Sequence, residues 1–165
     1  MELKKRCNPK NIFIGLYIVA FLIYIIFGLQ PAEAANYEIS AQLNIPAIGL
    51  TSGVTSLTLG SDGLETPNTI VGSFSNAENK VLLIGHSSSV FQNLNQVKLG
   101  ERIEYNGKNY RIIKKETAIK SLVKMSEVLE LEDKDTLVLM TCAGQMLEGS
   151  DATHRLMVTA IAEQD

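Results

Sequence analysis

The chain has 165 residues, 45% of them hydrophobic, and a formal net charge of −3. That length suits one domain plus an appendage, with enough chain to bury a real core. Lys4, Lys5, Arg6 and Lys10 crowd the N-terminus, and setting them aside with Glu2 and Glu33 leaves a net acidic remainder, which excludes the clustered positive charge of a nucleic-acid-binding surface.

Residues 1–11 read as a basic cytoplasmic segment. They precede "IFIGLYIVAFLIYIIFGL", an uncharged run of 18 residues from Ile12 to Leu29. As a helix it would cover roughly 27 Å of a hydrocarbon core about 30 Å thick, with Tyr17, Tyr24 and the flanks making up the difference. Lys and Arg are retained in the cytoplasm, so everything beyond Leu29 is expected outside. "PAEAA" (Pro31 to Ala35) offers an Ala-x-Ala end for a cleaved signal peptide, but secretory apolar regions usually run about 7 to 15 residues. The length therefore favours an uncleaved anchor over 12–29, followed by a linker over 30–40 and an extracytoplasmic domain over 41–165.

This topology bears on the two cysteines. Cys7 lies on the cytoplasmic side and Cys142 outside, so they cannot form a disulfide within one chain. Exported proteins usually pair their cysteines or lack them, so Cys142 calls for an intermolecular disulfide or a thiol kept for chemistry. Cys7 reads as an incidental reduced thiol.

Beyond residue 35 the chain reads as short strands separated by turn signals, which predicts an all-β barrel or sandwich. "AQLNIPAIGL" holds a Pro suited to an edge or a strand start. "TIVGSF", "KVLLIGH", "ERIEYNG", "KNYRIIKKE", "TLVLMTC" and "HRLMVTAIA" are the better strands, and "SDGLETPNT" is a loop. Asn106-Gly107, between two β-prone runs, tolerates the positive φ angles of a two-residue hairpin turn. Short helices are expected around Ser88–Val97 and Met125–Leu131, the second capped by Ser126.

A thiol attacks only as thiolate and needs a cation or base nearby. His86 stands where an apolar run leaves for "SSS", and His154 precedes Arg155. Strand alternation puts Arg155, Met157 and Thr159 on one face and His154, Leu156 and Val158 on the other, so His154 and Arg155 cannot serve one site. The same rule groups Val138, Met140 and Cys142 against Leu137, Leu139 and Thr141, with Cys142 at the strand exit before a turn at Gly144. Spacing alone is equally compatible with Cys142 as a packing residue, since cysteine is among the most buried residue types.

"IGHS" with His86, "VLMTC" with Cys142 and "HRLMVTA" with Arg155, in that order behind an apolar anchor, resemble the sortase family of cysteine transpeptidases. "LNIPAIGL" is similar to that family's opening strand, and "VLLIGHSSSVFQNLNQVKLGERIEY" to its segment from the histidine into a hairpin, so the likeness spans roughly residues 41–162. The family motif Thr-Leu-x-Thr-Cys has Val138 in place of its first Thr. That leaves the subclass open, housekeeping or class D/E/F-like rather than clearly pilin-specific.

The resemblance implies a closed eight-stranded β-barrel and a bacterial cell-membrane protein with one anchor, its N-terminus inside and its catalytic domain outside. It implies cleavage of a Leu-Pro-x-Thr-Gly-like sorting signal after Thr through a thioester. An amine from a cell-wall precursor or a pilin lysine then accepts the exported protein. Cys142 would be the nucleophile, His86 the thiolate partner and acid, Arg155 the holder of the carbonyl or oxyanion, and Thr141 an aid to substrate binding. No cofactor is implied beyond Ca²⁺ as an activator of some relatives. Glu130, Glu132, Asp133 and Asp135 offer it carboxylates, but without EF-hand spacing a solvated loop is the simpler reading. The rival from another class is a membrane-anchored β-sandwich that binds a surface partner, with Cys142 structural.

Overall fold

Strands that alternate apolar and polar residues bury one face, and "KVLLI" and "TLVLM" carry apolar residues on both. Such strands belong in the middle of a sheet covered on both sides. The computed structural model, which describes residues 37–60, 63–64, 66–77, 80–130, 135–147 and 151–163, places them there. The apolar run 12–29, residues 1–11 and residues 30–36 of the linker lie outside the described residues, and among those described no helix is long and apolar enough to cross a membrane.

The strands are β1 (Ala41–Ile45), β2 (Leu50–Ser56), β3 (Leu59–Gly60), β4 (Gly63–Leu64), β5 (Val71–Ala77), β6 (Lys80–Ile84), β7 (Arg102–Tyr105), β8 (Lys108–Ile119), β9 (Thr136–Met146) and β10 (Ala152–Ala162). Eight of them close into a barrel in the order β1-β2-β5-β6-β9-β10-β8-β7, and β3 pairs with β4 apart from it. The alternative of a sandwich is thereby replaced: β7 meets β1 through Leu43↔Tyr105 and Asn44↔Glu104, so the sheet has no free edge. Two pairings are parallel, β2 with β5 and β6 with β9; the others in the barrel are antiparallel.

The barrel of eight strands is just wide enough to be filled by side chains. Leu43, Val54, Leu83, Ile103, Leu137, Leu139 and Val158 are buried within one interior cluster. Their alternate neighbours Leu82, Val138, Met140 and Met157 form a second cluster, packed against Val123, Met125 and Val128 from the connection between β8 and β9. Each such aliphatic side chain contributes roughly 1.5–3 kcal/mol when fully buried.

The expected hairpin is present: Tyr105 pairs with Lys108 across Asn106 and Gly107, which adopt φ of 48° and 77°. Other expectations are corrected. The short helix expected around Ser88–Val97 is narrower, a run of turns that ends in a 3₁₀-helix at Leu94–Gln96. Its buried residues Phe91, Leu94 and Val97 recur every three positions, the period of the tighter helix. The α-helical turn covers only Met125–Val128, and Lys124 occupies its N-cap without a side-chain bond, so Ser126 is not the cap. Pro46 opens a 3₁₀ turn that reverses the chain between β1 and β2. β2, "LTSGVTS", lies mostly outside the stretches expected to be strands because its polar composition hides it. Within "SDGLETPNT", Gly63–Leu64 forms β4.

Interior and exposed positions should respond differently to truncation. Leu139→Ala is expected to lower unfolding free energy by about 2–5 kcal/mol in urea titration, whereas Ile113→Ala, at a position 50% exposed, should change it by less than about 0.5 kcal/mol.

Candidate active site

Parallel strands that pair side by side end at the same end of a barrel. The last paired residues of β6 and β9 are Ile84 and Met140, and the Gly85 N–H reaches on to the Met140 carbonyl at 3.4 Å. One step further, the Thr141 hydroxyl donates to the Gly85 carbonyl at 2.7 Å in a buried bond. His86 follows Gly85 just beyond the end of β6, and Cys142 follows Thr141 on β9, on the face that carries Val138 and Met140. β10 then returns antiparallel, and Arg155 is the direct register partner of Cys142. Ala118 of β8 is the partner of Arg155 on the other side.

The backbone at His86 is held firmly. Its carbonyl accepts from the Ser89 and Phe91 N–H groups at 3.2 and 3.0 Å, which folds the "SSSVF" turn back onto the strand end. Only glycine fits before it: a Cβ on Gly85 would lie 2.6 Å from Val90 Cγ1 and 2.8 Å from Phe91 Cδ2. The ring nitrogen Nε2 lies 3.2 Å from the Thr66 carbonyl. A carbonyl only accepts, so Nε2 carries a hydrogen in this arrangement, and Nδ1 is the nitrogen left for exchange.

Arg155 is tied along the start of β10. One guanidinium nitrogen donates to the carbonyls of Ala152 and His154 at 3.1 and 3.0 Å, and the other to Asp151 Oδ1 at 2.7 Å. Asp151 also accepts from the Ala152 N–H at 2.9 Å, and its second oxygen pairs with Lys120. Lys120 first, then Arg155 and the Ala152 N–H, hold the Asp151 carboxyl far below the usual carboxylate range. The contribution of a carboxylate with a lowered folded pKa is present above its ordinary value of about 3.9 and lost only as pH falls through the lowered one. The Arg155–Asp151 contact therefore persists throughout the neutral and mildly acidic range.

Cys142 is partly buried, at the end of the outer apolar strip formed by Met140, Met157 and Ala118. The connection Lys120–Leu129 lies over that strip. Its far end is fastened by Lys80, 4% exposed, whose ammonium donates to the Glu130 carbonyl at 2.8 Å. β9 does not end at the cysteine, as expected from the sequence, but runs on to Met146. The expected turn at Gly144 is a bulge, with the register slipping between Ala152↔Met146 and His154↔Ala143. Gly144 takes φ of 76°, and a Cβ there would sit 2.6 Å from His154 Nδ1 and from Thr153 Oγ1. Such an irregularity re-aims the chain next to a site.

His154 pairs with Ala143, and its Nδ1 lies 2.8 Å from the Thr153 hydroxyl. Thr141 is buried on the interior face, opposite Cys142. In the acidic run, Asp135 pairs with Lys108 at 2.7 Å and Glu130 lends its carbonyl to Lys80, while Glu132 and Asp133 lie outside the described residues. Among the described residues no three His, Cys, Asp or Glu side chains gather as for a metal ion. Sequence reasoning passed over Thr66, Gly85, Lys120 and Asp151. No spacing rule connects Thr66 to His86 or Lys120 to Asp151, because only tertiary contacts bring them together.

The chain thus folds as a closed eight-stranded barrel in which Cys142 pairs with Arg155 across β9 and β10, and His86 follows the end of β6. The family profile described as Sortase domain matches residues 43–163. The chain belongs to the sortase family. Its fold is similar to that of a lid mutant of sortase A from Corynebacterium diphtheriae, with a TM-score of 0.63 and 21% identity, covering 80% of this chain and 74% of that one. It is also similar to sortase C2 of Pilus Island 1 from Group B Streptococcus, at 0.60 and 20% over 77% and 75%. A third similar structure is the Clostridium perfringens sortase D5 transpeptidase, at 0.60 and 20% over 77% and 80%. No curated protein matches.

Thr141→Val keeps the shape but leaves the buried Gly85 carbonyl without its donor. Unfolding free energy should fall by about 1–3 kcal/mol in urea titration, and the histidine-bearing turn should loosen, read as faster amide exchange at Ser89 and Phe91.

Proposed function

We propose that this sortase cleaves a Leu-Pro-x-Thr-Gly-like sorting signal after Thr and transfers the exported protein to an amine. The observation that supports the reading is the register that pairs Cys142 of β9 with Arg155 of β10, with His86 two residues beyond the end of the neighbouring β6. Cys142 thiolate attacks the Thr carbonyl carbon, and a C–S bond forms as the C–N bond to Gly breaks. His86 as imidazolium favours the thiolate and hands its Nδ1 proton to the departing amine. Arg155, always charged, donates to the substrate carbonyl as it becomes an oxyanion.

An incoming amine then attacks the thioester. Its C–N bond forms as the C–S bond breaks, its proton passes to His86, and the thiolate returns. The acceptor is a cell-wall precursor or a pilin lysine, and in both half-reactions the proton passes through His86. Thr141 acts from beneath, fixing Gly85 and so the mount of His86. The apolar run 12–29 anchors the enzyme in the bacterial cell membrane, with the barrel outside. There it meets membrane-tethered substrates in two dimensions at raised effective concentration.

The test is hydroxamate formation from fluorogenic sorting peptides supplied with hydroxylamine. Cys142→Ala should abolish it, and equal activity in that variant would overturn the mechanism. His86→Ala and Arg155→Ala should each lower kcat/KM by about 10²-fold or more. A peptide library read by the same assay identifies the preferred motif.

A further inference from the structure

Asp151 lies outside the residues that touch the reacting atoms, yet both of its oxygens are committed around Arg155. Oδ1 accepts from the Arg155 guanidinium at 2.7 Å and from the Ala152 N–H at 2.9 Å. Oδ2 pairs with Lys120, the first residue of the 3₁₀ turn Lys120–Leu122 that follows β8. From that turn the chain runs on to Val123, Met125 and Val128, which pack on the outer apolar cluster.

We propose that Asp151 is a positioning residue: it orients the Arg155 guanidinium for the oxyanion and ties it, through Lys120, to the segment that covers the outer face beside Cys142. The inference rests on the role assigned above to Arg155.

Three physical points support it. An arginine side chain carries about 2 kcal/mol of rotamer entropy, which must be lost before it can serve as a fixed donor. The contacts to Asp151, Ala152 and His154 take three of its five N–H donors among the described residues and hold the plane of the fork. Two donors are left for a ligand. Second, the Arg155 side chain is only 17% exposed while Asp151 is 35% exposed, so the guanidinium is confined by its surroundings and the carboxylate sets which way its fork faces. Third, Lys120 and Arg155 are like charges gathered at one carboxylate. Without it they would repel, and the guanidinium would swing from its place over the strand.

The test uses the full chain in detergent micelles, with a fluorogenic sorting peptide and hydroxylamine. Asp151→Asn should lower kcat by about 10-fold or more with KM changed less than about threefold, since preorganisation acts on the transition state. In an Arg155→Lys background the same substitution should cost less than about twofold, because the group it positions is gone. Equal losses in both backgrounds, or no loss in the first, would overturn the proposal. Lys120→Met, which removes the cation from the other oxygen, should lower kcat by a smaller factor, and serves if Asp151→Asn does not fold; an unchanged kcat counts against the link to the covering segment.

A readout independent of turnover separates this inference from the proposed function. Modification of Arg155 by phenylglyoxal, followed by peptide mass spectrometry, should be several-fold faster in Asp151→Asn, and an unchanged rate overturns the positioning role whatever the activity. Full activity of Arg155→Ala would instead remove the role of Arg155 itself, and the inference with it. An inactive Arg155→Ala beside a fully active Asp151→Asn would remove the inference alone.

Discussion

The parallel pairing of β6 with β9, from Lys80↔Thr136 to Ile84↔Met140, is the constraint on which the rest of the molecule depends. Parallel strands cannot be joined by a tight turn, so the chain between them must travel from one end of the barrel to the other. It does so through the turns after His86, the β7–β8 hairpin and the covering connection. The arrangement brings the exit of β6 and the cysteine of β9 to one level. It also asks for two strands buried on both faces, which is why "KVLLI" and "TLVLM" are nearly continuous apolar runs.

Those two faces divide the work of the barrel. Leu83, Leu137 and Leu139 fill the interior, and Leu82, Val138 and Met140 support the outer cluster. Thr141 and Cys142 continue the same alternation, one facing the core and the other the outside. Thr141 joins two strands from within by its bond to Gly85, while Cys142 is presented from a mount that close packing keeps stiff. Arg155 reaches the same level from β10, where the bulge at Gly144 and the carboxylate of Asp151 shape its surroundings.

Much of this was legible in the residues. Alternation separated His154 from Arg155 and Thr141 from Cys142, and the faces found are those expected. The hairpin at Asn106-Gly107 followed from turn chemistry alone. Less legible were elements whose form is decided by what they pack on. Ser88–Val97 buries Phe91, Leu94 and Val97 at a three-residue period, which only its packing on the barrel reveals. β2 carries few apolar residues and exists because β1 and β5 pair with it on either side. β9 passes Gly144 because β10 continues to pair with it beyond the bulge.

The sequence by itself determined the chemistry on offer: a cysteine at the end of an apolar strand, a histidine before a serine-rich turn, an arginine on the last strand, and a family pattern in their order. These are local properties of residue type and period, which need no partner to be read. Only the tertiary structure decided that the sheet closes, that β6, distant in sequence, pairs with β9 while Arg155 pairs with Cys142, and that Asp151 and Lys120 gather at the arginine. Register between strands is settled by pairing and burial across the whole barrel, and no short stretch of the chain contains that information.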